Sequence, residues 1–200
     1  MRNELRSDIR RICVFCGSSS GHGDRYLRAA RETAQTIAAH GLGLVYGGAS
    51  VGCMGALADA MLAAGGEATG VIPRSMQERE IAHTQLTRLY VVETMHQRKA
   101  LMADLADAFV ALPGAYGTLD EFFEILTWAQ IGIHAKPAGL LNIDGFYDPL
   151  LVFLDRAVSS GFLKPNNREL FLTSDSPAEL VEMLLSHRPA IASKWATDVR

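Results

Sequence analysis

The sequence predicts an α/β fold in which a parallel sheet is covered by helices on both sides. Two observations carry that expectation. Short apolar runs alternate with helical stretches from end to end, and the runs are apolar at successive positions, as strands buried on both faces must be. A third, the placement of glycine-rich breaks where runs give way to helices, says where a ligand would bind.

The elements follow in order. Ile12–Cys16 reads as a strand that breaks at Gly17–Gly23 and leads into a helix over Asp24–His40. Leu42–Tyr46 is a second strand, ended by Gly47–Gly48 and followed by a helix over Met54–Ala64. Ala68–Ile72 and Leu86–Val92 read as further strands. A helix over Met95–Ala106 precedes the strand Ala108–Leu112, and a helix over Leu119–Ile133 precedes the strand Ala138–Ile143. The remainder predicts a helix over Pro149–Ser160, a short apolar run at Leu170–Leu172 and a helix over Pro177–Ser186. Residues 1–188 are expected to form one domain, because 200 residues fill one core and are short for two. Residues 189–200 lose the pattern and read as a flexible tail.

Composition narrows the function classes. A net charge of −3 gives no reason to expect a nucleic-acid partner. No apolar run approaches the length of a bilayer span, so no membrane partner is expected. The charged start MRNELRSDIRR does not read as a secretory signal. Cys13, Cys16 and Cys53 are too few for a disulfide framework, and a cytoplasmic location is the expectation. The histidines show no metal-ligand spacing, and no metal site is predicted. Walker A and complete G-x-G-x-x-G motifs are missing, which takes support from nucleoside triphosphates and dinucleotides.

Three segments are candidates for chemistry. The first is Pro113–Glu121, PGAYGTLDE, running from a strand into a helix. Free N–H groups at a helix start make an anion site, with Thr118 as a cap or a hydroxyl donor; a plain strand-to-helix turn explains the same residues equally well. Glu121 lies off the Leu119, Phe122, Phe123 and Leu126 face, beside Ile125 and Trp128, and that second apolar side points to burial against a partner subunit. The second segment is the helix at Thr94, whose Thr94-Met95-His96-Gln97 fits a capping box. Arg98 falls among Met95, Leu101, Met102 and Leu105, where a guanidinium requires a carboxylate or an anionic ligand. A buried structural ion pair or a snorkelling side chain is the bland alternative. The third segment is the loop after the first strand, in which Gly17-Ser18-Ser19-Ser20-Gly21 formally fits a hydrolase elbow. It lies too early in the chain for that role, and a first-strand loop contacting a nucleotide is a better reading than a nucleophilic Ser19.

Gly47–Gly55 (GGASVGCMG), Met95–Lys99 (MHQRK) and PGAYGTLDE together resemble the Lonely Guy (LOG) family of cytokinin riboside 5′-monophosphate phosphoribohydrolases, many of them mislabelled lysine decarboxylases. The resemblance runs from about Arg11 to Ser186 and takes in Ile72-Pro73, Arg79-Glu80-Ile81 and Thr127–Gln130. It implies a Rossmann-like three-layer sandwich, a homodimer, no cofactor, and hydrolysis of the N-glycosidic bond of AMP or an N6-substituted AMP. Arg98 and Glu121 match the catalytic positions. Ser18, Glu80, Lys99, Gly114, Ala115, Tyr116, Gly117, Thr118, Leu119, Asp120 and Thr127 are the expected nucleotide-binding set. Arg98 would serve the leaving base or the phosphate.

Two positions depart from the family pattern. Ala115 stands for the second glycine of PGG and Ala49 for a glycine of the earlier loop, and a positive φ at 115 would cost roughly 1 kcal/mol. These departures support an alternative, a non-catalytic nucleotide or cofactor carrier on the same fold. Pyridoxal-dependent decarboxylation is a third reading, for which Lys99, Lys136, Lys164 and Lys194 are the available amines.

Overall fold

The computed structural model describes residues 8–77 and 82–187. Seven strands form one sheet, every pairing of which is parallel: β1 (Arg11–Phe15), β2 (Gly43–Tyr46), β3 (Ala68–Pro73), β4 (Arg88–Val92), β5 (Ala108–Ala111), β6 (Ala138–Leu141) and β7 (Phe171–Ser174). Their order is β4-β3-β2-β1-β5-β6-β7. The chain therefore winds outward from β1 in one direction, returns, and winds outward again from β5. Ile12 pairs with Leu44 on one side and with Ala108 on the other, so the reversal point lies between β1 and β5. Loops leaving those two strands diverge and open a crevice at the carboxyl edge.

Two apolar layers hold the sheet. Alternate side chains of β1 point to opposite faces, so Ile12, Val14 and Cys16 join one core while Cys13 and Phe15 join the other. The first core is covered by α1 (Arg25–Ala39), α2 (Gly52–Ala63) and α8 (Pro177–Ser186). The second is covered by α4 (Met95–Leu105), α5 (Tyr116–Gln130) and α6 (Asp148–Ser159). The three-layer expectation is met.

The structure adds elements that periodicity could not show. α3 (Arg74–Gln77), α7 (Pro165–Arg168) and a 3-10 turn at Ile143–Gly145 are each too short to carry a repeat. Strand β6 stops at Leu141 rather than Ile143, because the Asn142 side chain accepts from the Tyr147 amide and donates to Asp148, turning the chain. Helices α2 and α5 begin at Gly52 and Tyr116, two and three residues before the expected Met54 and Leu119. Both starts lie inside glycine motifs. Gly52 has φ +57°, and a Cβ there would come 2.1 Å from the Ser18 carbonyl oxygen, so no other residue lets α2 begin against the β1 loop.

Candidate active site

The crevice holds a cavity of about 410 Å³, and all three glycine-rich loops contribute to it. Ser18–Gly21 come from the loop after β1, Cys53 and Met54 from the start of α2, and Gly114, Ala115, Gly117 and Thr118 from the turn into α5. Arg98 and Glu121 complete the polar part of the wall.

Arg98 is held by backbone geometry. The capping box at Thr94 is present in full: Thr94 Oγ1 accepts from the Gln97 amide at 3.1 Å, and Gln97 Oε1 accepts from the Thr94 amide at 3.3 Å. That box sets the register of α4 and turns Arg98 inward, where it is 7% exposed. Its Nε donates to the Val71 carbonyl at 3.1 Å and its Nη2 to the Gly47 carbonyl at 3.4 Å. Nη1 lies 3.2 Å from Glu121 Oε1. Three nitrogens of one rigid fork thus meet three different partners, an arrangement a flexible ammonium cannot reproduce. A Cβ on Gly47 would sit 2.1 Å from Arg98 Nη2, so a larger residue there displaces the guanidinium.

Glu121 is 8% exposed and stands on the inner side of α5 with Thr118, Phe122 and Ile125. This corrects the expectation that the Glu121–Ile125 side of the helix is buried against a partner subunit: it is buried within this chain. Of the expected apolar face, Phe122 is fully buried, while Leu119, Phe123 and Leu126 are only partly so. A carboxylate does not count toward an apolar face, yet its pairing with Arg98 lets that face turn inward. Burial pushes the Glu121 carboxyl above its ordinary value; Arg98 and Lys99 pull it down, and Asp120 and Glu124 push it up.

The turn into α5 also differs from the expectation. Ala115 is the residue before the first helical position, and no side chain caps the helix. Thr118 is not the cap. It lies in the first turn, 3% exposed, so close to Gly114 that a Cβ on Gly114 would fall 2.1 Å from Thr118 Oγ1. Ala115 has φ −111°, so the backbone there does not ask for glycine. Ala49 is fully buried, has no positive φ and forms a bridge with Ala82. The strain that would make these two alanines costly is absent. Ala115→Gly is therefore expected to lower stability by roughly 0.5–1 kcal/mol through the freer unfolded chain, an effect that urea denaturation reads.

The remaining expected binding residues divide. Ser18, Gly114, Ala115, Gly117 and Thr118 line the cavity. Tyr116 is 93% exposed, and neither it nor Leu119 is part of the wall. Lys99 Nζ pairs with Asp120 at 3.1 Å and Glu124 at 3.2 Å, a cluster beside the cavity and outside its wall. Thr127 donates its hydroxyl to the Phe123 carbonyl one turn back along α5. Helical spacing carries Lys99, Asp120 and Thr127 away from the face that holds Arg98 and Glu121. Glu80 lies outside the described residues.

Sequence reasoning missed most of the apolar wall: Tyr26, Met54, Met76, Met95 and Phe146. Met54 and Met95 belong to the GGASVGCMG and MHQRK motifs, but Tyr26, Met76 and Phe146 carry no local signal. Phe146 packs edge-on against Tyr26 and Tyr147, at 5.7 and 4.8 Å between ring centres, and the Tyr147 hydroxyl donates to the Leu112 carbonyl at the end of β5. Cys16 and Cys53 also line the cavity, with thiols that burial pushes up, so they are neutral wall and poor nucleophiles.

Comparison with known proteins fits this arrangement. A family profile described as possible lysine decarboxylase matches residues 54–184. Cytokinin riboside 5′-monophosphate phosphoribohydrolase LOG5 of Arabidopsis thaliana is 48% identical, over 97% of this chain and 87% of its own length. The phosphoribohydrolase LOG of Oryza sativa subsp. japonica is also 48% identical, over 93% of this chain and 77% of its own. Among solved structures, the molybdenum cofactor binding protein of Rippkaea orientalis superposes with a TM-score of 0.67 at 22% identity, covering 90% of this chain and 96% of its own. The molybdenum cofactor carrier protein of Chlamydomonas reinhardtii gives 0.67 at 22%, covering 88% and 98%. These two likenesses are of fold.

Proposed function

Because this chain belongs to the Lonely Guy family of cytokinin riboside 5′-monophosphate phosphoribohydrolases, we propose that it is an N-glycosidase that hydrolyses AMP or an N6-substituted AMP such as isopentenyl-AMP, releasing the free base and ribose 5-phosphate. The observation that carries the reading is the buried Arg98–Glu121 pair in the wall of a cavity whose rim is the uncapped start of α5.

The chemistry follows from that placement. A phosphate fits at Gly114–Thr118, where first-turn N–H groups and the helix dipole favour an anion. Cleaving the bond from ribose C1′ to the base leaves oxocarbenium character on the sugar, and the electron pair departs with the base. The Glu121 carboxylate stabilises that charge and takes a proton from the water that attacks C1′. The base nitrogen gains a proton and ribose gains the hydroxyl, so the balance is that of hydrolysis. Arg98 lowers the Glu121 pKa against the burial that raises it and so favours the carboxylate.

The active form is the carboxylate, and its pKa is raised, so the rate falls as pH falls through that raised value. The acid limb of the kcat/KM profile is thus expected above pH 4.5, the ordinary glutamate value. A limb at or below that value would remove Glu121 from this role.

The decarboxylase reading does not fit. Among the described residues no lysine lines the cavity, Lys99 is engaged with two carboxylates, and Lys136 Nζ donates to the Ala103 carbonyl. The carrier reading loses its support with the relaxed backbone at Ala49 and Ala115.

The working form is a homodimer, supported by exposed Ile133, Val152, Phe153 and Phe162, which a second copy would cover. Light scattering at micromolar concentration checks the mass. Three free thiols suit a reducing cytoplasm. No helix among the described residues is long and apolar enough to cross a membrane, and the charge of −3 favours no nucleic acid.

Product analysis over a panel of nucleoside monophosphates tests the function. Free adenine or isopentenyladenine with ribose 5-phosphate is the expected result, and no release of base from any of them would sink it.

A further inference from the structure

The guanidinium of Arg98 is only as well placed as the carbonyls that hold it. One of these, Gly47 O, belongs to the turn that follows β2. That turn is packed from below by β3. Gly48 takes φ +80°, and a Cβ on Gly70 would come 2.7 Å from the Gly48 Cα. From the other side it is covered by Ala82 and His83. The His83 amide donates to the Gly48 carbonyl at 3.0 Å, and Ala82 forms an antiparallel bridge with Ala49.

His83 is itself anchored. Its ring is buried, with Nε2 2.9 Å from Asp59 Oδ1, and its Nδ1 lies 3.2 Å from the Gln85 amide nitrogen. An amide can donate only to an unprotonated ring nitrogen, so Nδ1 accepts and the proton is on Nε2, directed at Asp59. Asp59 stands on α2, whose start forms part of the cavity wall. A continuous set of contacts therefore runs from α2 through Asp59 and His83 to the turn at Gly47–Ala49, and from that turn to Arg98 and Glu121.

We propose that His83 is a positioning residue for the hydrolysis: held by Asp59, it clamps the Gly47–Ala49 turn so that the Gly47 carbonyl fixes the Arg98 guanidinium against Glu121. The proposal rests on the catalytic reading of that pair. It does not place His83 in contact with substrate.

The test compares His83→Ala, His83→Gln and Asp59→Ala with the unaltered chain. Gln places an N–H donor near the Nε2 position and gives up only the local bond from the Gln85 amide. Kinetics with isopentenyl-AMP are expected to show kcat lowered roughly threefold to tenfold in His83→Ala and Asp59→Ala, the scale of one lost hydrogen bond, with KM within about twofold. His83→Gln recovers most of the loss. Glu121 faces Arg98 and Lys99 from α4, Asp120 and Glu124 on its own helix, Cys13 from β1 and Cys16 just after that strand. Loosening Arg98 removes the strongest of the interactions that keep Glu121 ionised, so the acid limb moves to higher pH in His83→Ala and returns in His83→Gln.

A second readout needs no turnover. Solvent exchange of the Arg98 Nε proton, followed by 15N NMR, is expected to quicken in His83→Ala and to stay slow in His83→Gln. An unchanged exchange rate in His83→Ala overturns the proposal. So does a loss of rate that His83→Gln fails to recover with the acid limb unmoved, because that is the signature of general destabilisation. If the unaltered chain releases no base from any nucleotide, the catalytic reading fails instead, and the exchange rates alone decide whether His83 holds Arg98.

Discussion

Glu121→Gln is expected to lower kcat for isopentenyl-AMP by roughly three orders of magnitude, with KM changed little. The substitution keeps the shape of the side chain and leaves the proposed phosphate cradle at Gly114–Thr118 untouched, so ground-state binding is expected to be retained. On the proposed mechanism, what it removes is the negative charge facing ribose C1′ and the base that takes a proton from water. The fold survives the change. Glu121 is 8% exposed, and its ionised form carries a burial penalty that the amide does not. The Gln oxygen still accepts from Arg98 Nη1, so the cost is below the about 3–5 kcal/mol of a fully orphaned buried charge. Thermal melts alongside single-turnover assays separate the two quantities. A variant that is folded and retains more than about a tenth of the rate would mean that the carboxylate is structural.

Arg98→Ala is expected to be harsher, because it strikes both stability and chemistry. It leaves Glu121 buried without its cation and takes the donors from the Gly47 and Val71 carbonyls. The stability loss is about 3–5 kcal/mol, the scale for breaking one buried ion pair. With Arg98 gone, the largest influence opposing desolvation at Glu121 is lost and its pKa rises further, so the carboxylate is less favoured at any given pH. The rate falls by roughly 10³ or more. Raising the pH recovers part of that loss, an outcome specific to Arg98 acting through Glu121. Arg98→Lys should not rescue it. A single ammonium cannot meet the Val71 carbonyl, the Gly47 carbonyl and Glu121 from one rigid plane. Near-normal kcat in Arg98→Lys would show that charge alone is needed and would discard the account of a fixed fork.

Much of this site is legible in the sequence. The capping box at Thr94 sets the register of α4 from four residues, and that register puts Arg98 among Met95, Leu101 and Met102. A guanidinium there demands a partner, which is a statement of energetics that holds whatever the fold. The partner's identity does not follow from spacing. Periodicity sets Glu121 away from the apolar face of its helix, and only the packing of α5 beside α4 shows that the pair buries itself. Lys99, Asp120 and Thr127 join the expected site through motif membership alone. Neighbours in a motif on a helix diverge by about 100° per residue, so adjacency in sequence does not place them together.

The chain itself determined the layers, the strand and helix alternation, and the carboxyl edge as the place for a ligand. Those depend on local periodicity and on glycine, both of which are written residue by residue. The tertiary structure alone decided three other things. It moved the starts of α2 and α5 into their glycine motifs, because contacts such as Gly52 against Ser18 outweigh the poor helix propensity of glycine. It brought Tyr26, Met76 and Phe146 to one cavity from three distant segments. And it relieved Ala115 of the strain that its motif suggested, since φ is fixed by how the β5 turn meets α5 and not by which residue stands there. Short-range order is a property of the sequence, whereas the wall of a cavity is a property of which distant surfaces meet, and that is set only when the sheet is assembled.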